Sequence, residues 1–210
     1  PPGSGKSTIA HLIPRFYDVN EGAITLDGQD IRDVTLQSLR GAVVVVQQDA
    51  FLFTTSLENN IAYGDPWAPP SQIASASASA QLNQFIATLP AGYKTVVGER
   101  GASLSGGQRQ RMTIARALML RPLVLIFDDS TTAVDAGTEQ RIRTTIQAKS
   151  SERVTIIVAH RLNSLMYADK ILFLEDGQIV EQGSHAELLA LGGRYRALHD
   201  LQIRPEEPSS

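Results

Sequence analysis

Apolar positions along the 210-residue chain change their spacing several times, and each change marks a new element. After Gly5, Ile9, Leu12, Ile13 and Phe16 recur at helical spacing, which predicts a helix to about Phe16 that Pro14 kinks or stops. Ala23-Ile24-Thr25-Leu26 reads as a strand, Asp27-Gly28 as a hairpin turn and Ile31 as the return. Val43–Val46 is an unbroken apolar run, the pattern of a strand covered on both faces in a parallel sheet. From Asp49 to about Leu120 the spacing becomes that of helices and loops. Ser56 is placed to cap a helix running to Tyr63, and Ser71–Ala80, which contains the Ser-Ala alternation Ser75–Ala80 with no apolar face for a sheet, predicts a weak solvent-facing helix. Pro90-Ala91-Gly92 closes the next helix, and Ser105 caps a long one to about Leu120. Strands return at Val124–Asp128, Val154–Ala159 and Ile171–Leu174, with a helix over Thr138–Ala148. Strands alternating with helices imply a parallel α/β core. Asp176-Gly177 turns into Ile179–Glu181, and Ser184-His185-Ala186-Glu187 is a capping box for a C-terminal helix. Arg204–Ser210 reads as a disordered tail.

Composition adds exclusions. The net charge of −3 carries no basic footprint of a general nucleic-acid binder. Cysteine is absent, which removes disulfides, thiolate zinc sites and cysteine nucleophiles together. No apolar run reaches the roughly 18–20 residues that a membrane-crossing helix needs. The chain opens inside a motif at Pro1-Pro2-Gly3 and lacks an initiating Met, so it reads as a fragment whose upstream part is missing.

That motif carries the first chemistry. Gly3-Ser4-Gly5-Lys6-Ser7-Thr8 is the second half of G-x-x-x-x-G-K-[ST], a loop whose glycines let backbone N–H groups curl around phosphate oxygens. Lys6 is placed to reach the β- and γ-phosphates, Ser7 offers a hydroxyl to Mg2+, and Thr8 is a further phosphate donor. Such a loop needs a carboxylate at a strand end for the metal's water shell. Leu123–Asp128 supplies one: a buried strand delivering Asp128 at its C-terminal edge, where ligands sit in open α/β sheets. Together these point to a nucleoside triphosphatase that uses Mg2+.

Leu104-Ser105-Gly106-Gly107-Gln108 narrows the class, with Gln108 twenty positions before Asp128. Here the sequence resembles the nucleotide-binding domain of ATP-binding cassette (ABC) transporters over nearly its whole length. Physically, Ser105 and the two glycines open a second helix start suited to an anion, and one domain has no need of two for one nucleotide. The resemblance implies that two domains pack head to tail and that Leu104–Gln108, with Asp135 of Thr132-Ala133-Val134-Asp135, serve the partner's nucleotide. It also implies that Gln48, rather than Gln47, touches Mg2+ and attacking water, and that His160 contacts the γ-phosphate. His11, His185 and His199 read as structural. Val97-Gly98-Glu99-Arg100-Gly101, Ser56–Ile61 and Ile13–Asp18 resemble exporters, with Glu99, Arg100 and Gly101 coupling to a membrane domain expected on the same polypeptide. The implied fold is a RecA-like P-loop NTPase, a mostly parallel sheet with an inserted helical subdomain, its N-terminal antiparallel strands missing. Its parts are expected at 1–48 (core), 49–120 (helical, with the signature), 121–183 (core), 184–203 (C-terminal helices) and 204–210 (tail), and its location at the cytoplasmic face of a membrane.

One residue departs from that family. Where it usually carries Glu to polarise the attacking water, the chain reads Phe127-Asp128-Asp129-Ser130. Asp129 is one methylene shorter, which withdraws its carboxylate by about 1.5 Å. A general base works about 2.6–3.2 Å from the proton it accepts, and a misplacement of about 1 Å can cost about 100-fold. The expectation is a site that binds ATP and hydrolyses it slowly, in a dimer with a partner that can differ from this chain. Two alternatives stay open: a soluble ABC ATPase of DNA repair or translation, and a regulatory ATP-binding module.

Overall fold

The computed structural model describes residues 3–128, 133–148, 153–159 and 162–203. Two compact units divide the chain, Pro1–His11 with Ile157–Ser210, and Leu12–Ile156.

In the larger unit, β1 (Thr25–Leu26) and β2 (Gln29–Asp30) form a hairpin. Its turn residues Asp27 and Gly28 take φ of 50° and 82°, the left-handed pair that matches the twist of two antiparallel strands. The return is thus Gln29–Asp30, and Ile31 already starts a 3-10 turn, because the Asp30 carboxylate accepts from Arg32 N and tightens the chain there. After α2 (Leu36–Ala42), β3 (Val43–Val46) pairs in parallel with β4 (Val124–Asp128), Val43 opposite Val124 and Val46 opposite Phe127. β5 (Val154–Val158) completes the order β3-β4-β5, Val154 N donating to Leu123 O at 2.8 Å. Leu125 and Ile126 are fully buried in β4, as a strand covered on both faces requires.

Between β3 and β4 lie α3 (Leu57–Ile61), α4 (Pro70–Ser79), α5 (Asn83–Ala87) and α6 (Gly106–Met119), and α7 (Ala136–Gln147) follows β4. Ser56 caps α3 through Asn59 N. Contrary to the sequence expectation, α4 is not solvent-facing: Ala76, Ser77 and Ala80 are buried, and the helix packs on α6. Small side chains let two helix backbones approach closely, so a face without large apolar groups can still be an inner face.

α1 (Lys6–Leu12) begins in the smaller unit and stops before Pro14, sooner than the apolar spacing suggested. Pro14 has no N–H to continue the ladder, and Arg15 turns left-handed at φ 55° with its N–H on Leu12 O. The rest of that unit is the hairpin β6 (Ile171–Glu175) and β7 (Gln178–Gly183) with α8 (His185–Leu191) and α9 (Arg194–Ile203). Its core gathers Leu162, Ile171, Leu188 and Tyr195. The Ser184–Glu187 capping box starts α8 as its sequence foretold. Among the described residues no helix is long and apolar enough to cross a membrane.

Candidate functional site

The phosphate loop belongs to the smaller unit. Gly3 and Gly5 take φ of 74° and 94°, so the chain curls here in a way that side chains with a Cβ resist. Gly5 O accepts the first helical bond from Ile9 N at 3.1 Å. Ser4 is buried, and Lys6 Nζ donates to Ser4 Oγ at 3.0 Å, which folds the lysine back over the loop. Ser7 and Thr8 stand exposed on the first turn of α1.

In the larger unit, the register Val46–Phe127 carries Gln48 and Asp128 out at the same edge of the parallel pair. Asp128 is half-buried and Gln48 exposed. The neighbouring Gln47 has a different task. Its carbonyl accepts from Nε2 of Gln110, a buried side chain in α6, at 3.4 Å. The strand edge is thereby tied to the signature helix, a link that nothing in the sequence pattern marked.

The signature itself is well defined. Ser105 N donates to Gln108 Oε1 at 2.8 Å and Gln108 N to Ser105 Oγ at 3.2 Å, a reciprocal cap on the 14-residue α6. Leu104 is buried beneath it, while Ser105 is exposed and Gly106, Gly107 and Gln108 are half-buried. Gly107 faces the segment before α7 so closely that a Cβ would stand 2.9 Å from Ala133 O. Asp135 caps α7 by accepting from Thr138 N at 2.9 Å, and those bonds from Thr138 hold its carboxyl below the usual aspartate range. Asp129 and His160 lie outside the described residues.

Glu99, Arg100 and Gly101 form a 3-10 turn with Glu99 and Arg100 exposed. Arg109 of α6 reaches that turn: its Nη1 donates to Gly101 O at 3.5 Å and to Leu104 O at 2.7 Å, and its Cδ would be 2.7 Å from a Cβ on Gly101. The Ser56–Ile61 stretch lies alongside, since Leu57 N donates to Thr95 O and Val97 N to Thr55 O. Deeper in, the Arg116 guanidinium bonds Asn60 O, Asn60 Oδ1 and Phe51 O, and lies over the stacked rings of Phe53 and Tyr63. Burial pushes its pKa down from the ordinary arginine value. Sequence reasoning missed Arg109, Gln110 and Arg116, because their partners are mostly backbone carbonyls that leave no mark in residue type.

Residues 1–132 match the family model described as ABC transporter. The chain belongs to that family. It is 49% identical over 202 residues to an ATP-dependent lipid A-core flippase of Thiobacillus denitrificans, covering 96% of this chain and 35% of the relative. A putative multidrug export ATP-binding/permease protein of Staphylococcus aureus is 46% identical, again over 95% and 35% of the two chains. A solved bacterial Atm1-family ABC exporter with ATP bound superposes with a TM-score of 0.95 at 48% identity, covering 99% of this chain and 36% of that one. The family assignment and this superposition establish the fold as the α/β P-loop NTPase fold of the ABC ATPases, a nucleotide-binding fold. The chain spans about a third of the length of these relatives.

Proposed function

We propose that the chain is the ATP-binding and ATP-hydrolysing part of an exporter, facing a second such domain head to tail beneath a membrane-spanning part. The start of α6 carries the reading: its reciprocal cap spends the Gln108 side chain inward and leaves Ser105 exposed, a helix start turned toward an anion outside the helix. With the phosphate loop that makes two phosphate-directed sites in one chain, and pairing two copies gives each nucleotide one of each kind. In this reading Gly3–Thr8 and Gln48 hold the nucleotide and His160 contacts its γ-phosphate, while Leu104–Gln108 and Asp135 act on the partner's. Two of the relatives are named as a flippase and a putative export protein, which supports export. The turn at Glu99–Gly101, anchored by Arg109, is the coupling surface toward the membrane part. Residues 49–120 are the helical subdomain set into the core.

Ser7, Gln48 and Asp128 are the residues that would hold Mg2+. A hydroxyl, an amide oxygen and a carboxylate are hard oxygen donors and suit that ion, and the half-buried place of Asp128 at the strand end fits a metal-linked carboxylate. The ion, when bound, neutralises charge on the phosphate oxygens. Lys6 pairs with the β- and γ-phosphates, His160 donates to the γ-phosphate, and Asp129 orients the attacking water from a carboxylate set back by about 1.5 Å. Phosphoryl transfer is mostly positioning and charge neutralisation, so that retreat slows hydrolysis while leaving ATP binding in place.

The test is single-site turnover in the assembled dimer, with Asp129→Glu against the wild type. A rise of about 100-fold in the rate at this chain's own phosphate loop is expected, and an unchanged rate sinks the geometric argument. Asp129 also favours a second reading, in which ATP occupancy alone is the signal. Tight binding with no turnover in any full assembly would select it.

A further inference from the structure

A cavity of about 330 Å³ opens in the larger unit where α4, the end of α6, α7 and the residue before β5 meet. It shares no lining residue with the phosphate loop, the signature or the strand edge. Its floor is apolar: Ala76, Met119, Pro122 and Ile146 are buried there. Two arginines line it, Arg121 and Arg153, and neither makes an ion pair among the described residues. Nη1 of Arg153 is buried and has no hydrogen-bond partner among the described residues. A buried guanidinium N–H without an acceptor is costly, and an anion that draws the Arg153 fork into the cavity relieves that cost.

The walls are set rather than soft. Gln72 Nε2 donates to Met119 O at 3.1 Å and ties α4 to the end of α6. The bond from Val154 N to Leu123 O fixes the main chain next to Arg153 at the head of β5. Arg121 follows α6 at φ 48°, its N–H on Leu118 O at 3.2 Å. Ser75 and Ser79, one helical turn apart on α4, bring two hydroxyls to the same wall.

We propose that this cavity binds a small phosphate monoester with an apolar body, the phosphate on Arg121 and Arg153 and the body on the Met119–Ile146 floor. Two guanidiniums match the double charge of a phosphate monoester better than the single charge of a carboxylate, and planar forks meet its oxygens in pairs. The volume lies at the small end of ligand-binding cavities, which suits a compact ester over a nucleotide.

The experiment is calorimetric titration of phenyl phosphate into the 210-residue chain carrying Lys6→Ala, which disables the phosphate loop as a competing site. Binding is expected in that background, with benzoate weaker and phenol silent. Adding Arg153→Ala or Arg121→Ala is expected to weaken phenyl phosphate by about tenfold each, the loss of one charge-assisted contact. Arg121 is exposed beyond the helix end, so its variant keeps the test open where Arg153→Ala fails to fold. Absence of phenyl phosphate binding, benzoate binding as tightly, or an affinity untouched by the arginine substitutions would each overturn the proposal.

Discussion

Gly106 and Gly107 look alike in the sequence, and the structure separates them. A methyl at Gly107 would meet Ala133 O at 2.9 Å, a backbone atom that cannot step aside alone, whereas at Gly106 it would meet Ala133 Cβ at an ordinary 3.8 Å. Gly107→Ala is therefore expected to cost about 1–3 kcal/mol through overpacking. Gly106→Ala stays near neutral for folding, helped by alanine's helix propensity. Denaturant unfolding of the two variants checks this, and equal stabilities contradict it. Lys6 and His160 divide in the same way by their proposed roles. Lys6→Ala is expected to remove most nucleotide affinity, because in the proposed site its charge meets the phosphates both before and during the reaction. His160→Ala should spare binding and lower turnover. Equilibrium binding of a labelled nucleotide beside steady-state rates distinguishes the roles, and equal loss of binding in both variants rejects them. The phosphate loop, the signature and Asp128 could be read directly from residue type and spacing. Gln110 could not, because its partner is the carbonyl of Gln47, which any residue would provide.

Among elements, α6 does the most to organise the larger unit. One end carries the reciprocal cap, its middle ties through Gln110 to the strand edge, and Arg116 near the far end binds the loop and helix that follow β3. Arg116→Met keeps much of the stem's packing and deletes the guanidinium, leaving Asn60 O and Phe51 O short of donors. A loss of about 2–4 kcal/mol is expected from the several bonds removed at a buried place. A midpoint in urea unchanged from wild type would show that the network contributes nothing. Element types were legible wherever periodicity or caps were strong: Ser56, Ser105 and Ser184 each cap the helix their positions announced. The burial of α4 was not, because an Ala-Ser repeat has no apolar stripe and its inward face is defined only by the helix packed on it. The early end of α1 shows the reverse, apolar spacing running on past the point where Pro14 withdraws its N–H.

For the whole molecule, the proposed pairing makes activity a property of concentration. Each nucleotide would need the phosphate loop of one chain and the signature of another, so specific ATPase activity of the purified chain should fall on dilution below its dimer dissociation constant. A rate per chain indifferent to dilution, in a preparation shown to be monomeric, contradicts pairing. The parallel α/β core was legible from strands alternating with helices, and the P-loop fold followed from the family resemblance that the motifs carry. Contacts between distant stretches were hidden. Residues 55–57 and 95–97 lie some forty positions apart and are joined by main-chain bonds, Leu57 N to Thr95 O and Val97 N to Thr55 O. Because that seam is sewn with peptide groups, it is blind to most side-chain replacement. In the proposed coupling, a load taken up at the exposed Glu99–Arg100 turn would reach the α3 region by a route that sequence drift, short of proline, leaves uncut.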